Sequence, residues 1–439
     1  MRRTLSDRRV VITGMGINTP LGDNHDAFYD GLLAGKSAVR RWQCVATDGI
    51  YSKVGGDLTG YDFSAKLDVL KLQLPDDVFA RLRRLVRKAP FSTKLSMLCA
   101  ADALVDAGLI GRASPAFDAS RLAIIVAGHN LNKHYHDQLR NQFDEEPDYL
   151  EPLASLLSLD TDHAGSIGEV FGVRGAIYTI GGACASGNIA LRNALDEIRH
   201  HDYDVVLLVG AALEYAAVDL HAMALMGAIS IHRFNDAPEC ASRPFDANRE
   251  GFVPAHGAAA LVIEHLAHAL DRGARVHAEV LHVTALSDGC HLPQPSADGQ
   301  ARTMTRLLAA AGVAPEEIDY VSAHATSTPL GDLTEIDSLK RVFGAHAKRL
   351  KINAPKSMLG HTCWSAPTVE TVAAILQMNR GTLHGSINID TLDSRVDLDV
   401  CASGPVRHEV RTFLKDSFGF GGINCCSLFS RFESGGARR

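Results

Sequence analysis

The chain has 439 residues, 46% of them hydrophobic, so it can bury a core spread over about two or three domains or over two fused halves. Its net charge of −7 argues against nonspecific binding to nucleic acid. Nine irregularly spaced cysteines fit neither a disulfide framework nor a zinc site, and they favour a reducing, cytoplasmic compartment. We expect no secretory signal and no membrane span, because no apolar segment is long enough.

Strands and helices alternate along the chain, which is typical of α/β proteins. In the first half we expect strands at 9–13, 122–127, 176–180, 205–210 and 258–264, and helices at 24–33 and 96–107. In the second half we expect strands at 277–285, 320–322, 411–414 and 425–431, and helices at 301–311, 333–343 and 368–377. A change of composition at 265–275 predicts the seam between the halves.

Cys184 lies among small residues between a predicted strand and a predicted helix. The dipole and free backbone N–H groups at the start of a helix favour a thiolate over a thiol. The small neighbours leave room for a substrate. A cysteine in a buried turn is also often an inert small hydrophobe, so the position alone leaves both roles open.

Three further segments carry polar or glycine-rich chemistry in predicted loops, at 323–332, 353–361 and 417–424. Such loops at strand ends are where α/β proteins build their sites. Each segment alone also fits an ordinary structural role. His324 could be a core histidine, Lys356 a solvated lysine, and the run Phe-Gly-Phe-Gly-Gly at 418–422 a hairpin turn.

Together and in this order, the segments resemble the β-ketoacyl-acyl carrier protein synthases of the thiolase superfamily. The resemblance is closest to the elongating type of fatty acid and type II polyketide assembly. The run Lys-Ser-Met-Leu-Gly-His at 356–361, with Glu370 nine residues later, and the run Phe-Gly-Phe-Gly-Gly-Ile-Asn at 418–424 are highly specific. The resemblance covers nearly the whole chain. It implies a five-layered α-β-α-β-α, thiolase-like fold, with the nucleophile in half 1–268 and two histidines in half 269–439.

The resemblance implies five catalytic residues. Cys184 would hold an acyl group as a thioester. His324 and His361 would donate hydrogen bonds to the oxygen that gains charge when a carrier-bound malonyl unit loses CO₂. Lys356 would tune His361, and Phe420 would act as a gate. The backbone N–H groups of Cys184 and Phe420 would form the oxyanion hole for the acyl group.

The resemblance also implies how substrates bind. The phosphopantetheine arm belongs to a partner acyl carrier protein, so we expect no cofactor and no metal of the chain's own. The implied substrate-binding group is Thr326 and Thr328 on the arm, Glu370 in an outer shell, and Asn424. Carrier proteins are acidic, so the basic run of Arg81, Arg83, Arg84, Arg87 and Lys88 is either their docking face or a solvated helix face. We expect a homodimer, with a heterodimer with a paralogue as the alternative, and no nucleic acid or membrane partner.

Several residues depart from the usual pattern of the resembled synthases: Ala325, His256, Trp364 and Pro293. These departures favour a specialised, polyketide-like pathway over housekeeping fatty acid synthesis. Two alternatives to condensation remain. One is a malonyl-acyl carrier protein decarboxylase that supplies acetyl-carrier protein, and the other is a non-catalytic, chain-length-type partner in a heterodimer. Both kinds usually lack the cysteine, so Cys184 favours condensation.

Overall fold

The computed structural model of the chain describes residues 9–112 and 117–433. The expectations for residues 1–8 and for the end of the second half at 434–439 lie outside the described residues. The strands of the first half are β1 (Val10–Asn18), β2 (Val39–Arg41), β3 (Val54–Gly56), β4 (Leu122–Ala127), β5 (Ile177–Ile180), β6 (Val205–Gly210) and β7 (Ala258–His265). Those of the second half are β8 (Ala278–Ser287), β9 (Tyr320–Ser322), β10 (Lys351–Asn353), β11 (Thr382–Leu383), β12 (Val406–Arg407), β13 (Thr412–Gly419) and β14 (Ile423–Ser430).

Helices connect these strands. Those of the first half are α1 (His25–Leu33), α2 (Phe63–Gln73), α3 (Asp76–Val86), α4 (Phe91–Asp106), α5 (Lys133–Glu145), α6 (Ala154–Leu157), α7 (Thr161–Phe171), α8 (Ser186–His200), α9 (Ala217–Leu225) and α10 (Leu266–Asp271). Those of the second half are α11 (Ala297–Ala311), α12 (Gly331–Phe343), α13 (Lys356–Leu359) and α14 (Ala366–Arg380).

The two halves share one strand order. The first half runs β5-β4-β6-β7-β1 and the second β10-β9-β13-β14-β8, so corresponding strands occupy corresponding places. In each half the first three strands of that order pair in parallel. The fourth strand is antiparallel to its neighbours on both sides, the third and the fifth. Short antiparallel pairing of β1 with β8, from Val10↔Val280 to Ile12↔Ala278, joins both sets into one sheet of ten strands.

Helices form three layers around these two half-sheets. Helices α8 and α14 lie between them, in a core cluster that also contains inward-facing residues of both half-sheets. Helices α4 and α7 cover the outer face of the first half-sheet, and α11 and α12 cover that of the second. This arrangement confirms the predicted five-layered, thiolase-like α/β fold with two similar halves.

The structure corrects the predicted end of the first strand. β1 continues beyond Thr13 to Asn18, with a register shift between Ile12 and Gly14. A Cβ at Gly14 would lie 2.2 Å from the carbonyl oxygen of Ala103, and a Cβ at Gly16 would lie 2.1 Å from that of Cys99. These glycines therefore allow α4 to pack directly on the strand, at a place where the sequence predicted that the strand had already ended.

The other predicted strands and helices agree with the structure to different degrees. The strands at 122–127, 205–210 and 320–322 have the predicted bounds, whereas the strand predicted to end at Leu414 continues to Gly419. The sequence also did not predict the amphipathic and surface helices α2, α3, α5, α7 and α9. Within residues 9–112 and 117–433, no helix has both the length and the apolar character to cross a membrane.

Candidate active site

Cys184 is the central residue of a short 3₁₀ turn, Ala183–Ala185, that leads directly into α8. The position at a strand-to-helix turn is as predicted. Ala183 has φ +47°, so the turn holds a non-glycine residue in the left-handed region, which costs about 1–3 kcal/mol. The side chain of Cys184 is buried, with 5% of its surface exposed. Burial raises the pKa of the Cys184 thiol above its ordinary value, and the charge of Lys356 opposes this only in part. The predicted resting thiolate is therefore corrected to a thiol.

His361 lies where the short helix α13 ends. Its backbone N–H donates to the carbonyl of Val253 at 2.6 Å, and its carbonyl accepts from the N–H of Ala255 at 2.9 Å. Gly360 precedes it at φ +79°, and a Cβ there would lie 2.7 Å from the carbonyl oxygen of Val253. Only glycine fits this position without strain. The backbone therefore fixes His361 against the 253–255 segment.

The ring of His361 presents a hydrogen-bond donor. The backbone N–H of Cys363 donates to Nδ1 at 3.3 Å, which places the proton of the neutral ring on Nε2. Nε2 is buried and has no partner in the protein. Burial, together with the charges of Lys356 and Lys415, holds the pKa of His361 well below its usual value. The ring is therefore a neutral N–H donor with an unused hydrogen bond.

His324 follows β9 on a turn that a buried carboxylate fixes. The backbone N–H groups of His324 and Ala325 donate to the two oxygens of Glu335, each at 2.7 Å. Ala325, one of the departures noted in the sequence, has φ +29°, so the carboxylate stabilises a strained turn. The rings of His324 and His361 are 5.4 Å apart and perpendicular, at 86°. Burial, Lys356 and His361 lower the pKa of His324 well below its usual value.

The glycine-rich run forms a hairpin between β13 and β14, and it approaches the cysteine turn. A Cβ at Gly419 would lie 2.9 Å from the carbonyl oxygen of Gly182 and 3.3 Å from the backbone nitrogen of Cys184. Phe420 lies at the tip of the hairpin, and its ring is 6.5 Å from that of Phe252. The next two glycines have φ of +84° and +71°, conformations that glycine adopts readily.

Residues from all of these segments line one cavity of about 310 Å³. Its walls include seven of the residues that the sequence predicted for the site: Cys184, His324, His361, Phe420, Thr326, Thr328 and Asn424. The hydroxyls of Thr326 and Thr328 lie 3.1 Å apart, and Asn424 donates to Asp288 at 2.6 Å. Lys356 and Glu370 do not line the cavity. They form a buried ion pair behind the histidines, which excludes a solvated lysine.

Sequence reasoning missed the surroundings of that pair. Lys415, on β13, binds the second oxygen of Glu370 at 2.8 Å, and Glu335 fixes the His324 turn. A charged pair, Lys415-Asp416, directly before the glycine-rich run is an unusual feature for a buried strand. This pair could have indicated a buried charged cluster. It was not recognised, because the predicted strand ended at Leu414, one residue before Lys415.

A second group of polar residues lies away from the cavity. Cys44, Asp57 and His256 bring three potential metal-ligating atoms within 4.8 Å of one another. Asp57 already accepts hydrogen bonds from the backbone of Gln43 at 2.7 Å and from the backbone and hydroxyl of Thr59 at 2.8 and 2.7 Å. The carboxylate of Asp57 therefore already serves to hold the fold. His256 has a structural role beside it, because its Nδ1 accepts from the backbone N–H of Leu58 at 3.2 Å.

Family comparisons agree with this geometry. The family described as "Beta-ketoacyl synthase, N-terminal domain" matches residues 7–269, and "Beta-ketoacyl synthase, C-terminal domain" matches residues 277–390. The chain belongs to the β-ketoacyl synthase family.

Individual relatives cover almost the whole chain. A chloroplastic 3-oxoacyl-[acyl-carrier-protein] synthase I of Arabidopsis thaliana is 32% identical over 98% of this chain and 88% of its own length. The polyketide biosynthesis malonyl-ACP decarboxylase PksF of Bacillus subtilis is 29% identical over 97% of both chains. Among solved structures, a type II polyketide ketosynthase in complex with its acyl carrier protein superposes with a TM-score of 0.84. It is 26% identical and is matched over 97% of this chain and all of its own.

Proposed function

We propose that this chain is a condensing acyltransferase, which joins an acyl group held on Cys184 to a malonyl unit held on an acyl carrier protein. The observation that carries this proposal is the shared cavity. A buried cysteine at the start of a helix faces the same space as two neutral imidazoles, one of which has an unused N–H. A nucleophile and preorganised donors in one desolvated site are what acyl transfer to carbon requires.

The first step is transfer of the acyl group to the cysteine. The sulfur of Cys184 attacks the carbonyl carbon of an acyl-carrier thioester, and the new C–S bond replaces the bond to the pantetheine sulfur. The proton of the buried thiol leaves with the pantetheine thiol. The backbone N–H groups of Cys184 and Phe420 stabilise the oxyanion formed in between, and contact between Gly419 and the Cys184 turn supports their proximity.

The second step is loss of CO₂ from the malonyl thioester and attack on the acyl-enzyme. Charge builds on the thioester oxygen as the bond to CO₂ breaks, and the N–H groups of His324 and His361 stabilise it. The enolate carbon then attacks the thioester on Cys184. A β-ketoacyl-carrier product two carbons longer leaves, and the cysteine sulfur takes a proton from water.

The partner in both steps is an acyl carrier protein. Thr326 and Thr328 line the cavity beside the histidines and can bind the phosphopantetheine arm, with Asn424 on the same wall. The arm belongs to the carrier, so the reaction needs no further cofactor. The end of helix α3 and the residues that follow it offer exposed basic side chains at Arg83, Arg84, Arg87 and Lys88 for the acidic carrier.

The assignments of the halves and of the assembly are also proposals. Residues 1–268 carry the nucleophile and 269–439 carry the two histidines, which the repeated strand order supports. We propose a homodimer, with a paralogue heterodimer as the alternative. All nine cysteines are unpaired, which supports a reducing, cytoplasmic compartment. The departures at Ala325 and Trp364 support a specialised pathway.

A decarboxylase without condensation is the second candidate, because PksF is among the similar proteins and the histidines with Lys356 would serve it equally. The retained Cys184 favours condensation.

Intact-protein mass spectrometry separates these functions. After incubation with acyl-carrier proteins, the wild type should gain one acyl mass, and Cys184→Ala should gain none while still decarboxylating malonyl-carrier protein. Cys290→Ala is the matched control, because this half-buried cysteine contacts Gly422 at the cavity but lies outside the turn. Acetyl-carrier product without an acylated wild type would establish the decarboxylase instead. A co-purifying paralogue that alone becomes acylated would establish the chain-length-type partner.

A further inference from the structure

A second lysine, Lys415, shares the buried carboxylate of the site. Its side chain is fully buried, and its Nζ lies 2.8 Å from Oε2 of Glu370. The same Nζ donates to the carbonyl of Ser322 at 3.3 Å and to the carbonyl of Asp416. Lys356 binds the other oxygen, Oε1, of Glu370. Glu370 is therefore held between two ammonium groups, one on each oxygen.

Two more buried carboxyl groups complete this cluster. Glu335 is 1% exposed and Asp416 is 0% exposed. Burial raises the pKa of Glu335 above its ordinary value, and the charge of Asp416 adds to the effect. Burial likewise raises the pKa of Asp416 above its ordinary value. Two lysines and three carboxyl groups that retain one proton have no net charge. Charges in a protein interior are tolerated when they are balanced in this way, and removing one partner is strongly unfavourable.

The cluster acts on His324 through backbone hydrogen bonds and charge, and on His361 through charge. Glu335 fixes the His324 turn by its two bonds to backbone N–H groups. The positive charges of Lys356 and Lys415 both lower the pKa of His324 and of His361. Without Lys415, the cluster would be negative and would attract protons to the imidazoles.

We propose that Lys415 is a positioning residue of the condensing site, which balances the buried carboxylates and so keeps Lys356 on Glu370 and both imidazoles neutral. It touches no substrate and lines no part of the cavity. The effect on turnover rests on the proposed function, whereas the effect on the imidazoles does not.

A buried lysine elsewhere provides the matched control. Lys66 is 7% exposed, pairs with Asp102 at 2.8 Å, and donates to the carbonyl of Asp23. Lys66→Met should therefore remove a comparable buried ion pair without changing the histidines. Other titratable groups from neighbouring elements also interact with charges of the cluster, and each variant must leave them unchanged. They are Cys184, Tyr320, Cys363, His384 and Cys426.

The first measurement is the titration of both imidazoles by NMR, using histidine labelled at ring carbon and assigned with single His→Asn variants. In the wild type both rings should stay neutral down to the lowest pH at which the protein remains folded. Lys415→Met should raise the pKa of each ring, because the positive charge of Lys415 is among the charges that lower it. Lys66→Met should leave both titrations unchanged. Unshifted rings in folded Lys415→Met would overturn the proposal.

The second measurement is the pH profile of malonyl-carrier decarboxylation. Lys415→Met should lower kcat by about tenfold with KM unchanged, and should move the acid limb to higher pH. Lys415→Ala should recover activity with added methylammonium, which can restore the missing charge. Equal loss at all pH values, without recovery, would mean a structural role only. A wild type without turnover would refute the proposed function, and the imidazole titration would still decide the role of Lys415.

If Lys415→Met does not fold, a charge-balanced variant allows the effect of Lys415 on the imidazole pKa values to be measured. Lys415→Met/Asp416→Asn removes one charge of each sign. Relative to Asp416→Asn alone, the double variant should again raise the imidazole pKa values, and no difference between these two proteins would contradict the proposal.

Discussion

The turn that leads into α8 and the turn that leads into α14 occupy corresponding places in the two halves. Each is a 3₁₀ turn of three residues followed by a helix of 15. Each begins with a residue at positive φ, Ala183 at +47° and Cys363 at +52°. The central residue differs, since the first turn presents Cys184 and the second presents Trp364. The backbone frame is repeated, but the cysteine that we propose as the nucleophile is at the centre of only the first of these two turns.

The loops after the parallel strands show the same relation. His129 follows the end of β4 by two residues, and His324 follows the end of β9 by two residues. His324 faces the cavity that it shares with Cys184. His129 instead stacks on Trp364, with ring centroids 4.4 Å apart. In both places a histidine from one half is brought near the central turn residue of the other half, once in a shared cavity and once in a ring stack. A repeated fold therefore supplies two equivalent frames, and their side chains make one frame open to a cavity and the other packed.

The largest expected effect is on the two histidines. His361→Ala should lower the rate of malonyl-carrier decarboxylation by about 100–1,000-fold, because it removes a buried donor to the developing oxyanion. His129→Ala, at the packing counterpart of His324, should change that rate by less than about threefold, because stacking supplies no donor to the reaction. The checks are initial rates of CO₂ release under saturating substrate. Equal losses of decarboxylation rate in the two variants would contradict the assignment of His361 to the reaction and of His129 to packing.

An intermediate effect is expected for the packing turn. Trp364→Ala should lower the free energy of unfolding by about 2 kcal/mol, because the stack on His129 and the half-buried indole are lost. Urea denaturation monitored by circular dichroism measures this. Cys184→Ala, at the corresponding position of the other turn, should change stability by less than about 1 kcal/mol. If Trp364→Ala were as stable as the wild type, the second turn would have no structural role of this kind.

The smallest effect concerns the seam between the halves. On α10, Nδ1 of His268 lies 2.5 Å from Oε1 of the buried Glu264, and this hydrogen bond raises the pKa of His268. A raised pKa stabilises the fold fully below the ordinary histidine pKa, and the stabilisation disappears as the pH rises through the folded value. The free energy of unfolding of the wild type should therefore exceed that of His268→Gln by less than about 1 kcal/mol at pH 5.5. At pH 9 urea denaturation should show no difference between the two proteins. A difference that grows with pH would contradict this assignment.

Apolar runs and specific motifs made much of the fold and site predictable. Leu122–Ala127 and Val205–Gly210 were found with correct bounds, because each is an apolar run bordered by polar or small residues. The motifs identified the cavity-lining Cys184, His324 and His361 before any geometry was known. Local patterns could not show that Gly14 serves helix packing, since that contact comes from α4, far along the chain.

Properties that depend on tertiary contacts could not be predicted correctly from the sequence. The expectation of a thiolate considered only the start of the helix, whereas burial in the folded protein dominates the pKa of Cys184. Lys415 and Glu335 are distant from each other in sequence, and only the fold places them beside the same histidine turn. Charged residues in buried strands therefore merit the same attention as recognised motifs.

The short pairing of β1 with β8 constrains how this protein can be recombined. Only Val10, Val11 and Ile12 pair with their partners in β8, yet they turn two half-sheets into one, while α8 and α14 pack against both. A chimera that takes each half from a different parent would have mismatched edges and a mismatched inner helix pair. Unmatched strand edges promote aggregation. Engineered exchanges should therefore move β1, β8 and both inner helices together, and substitute only the outer helices and loops.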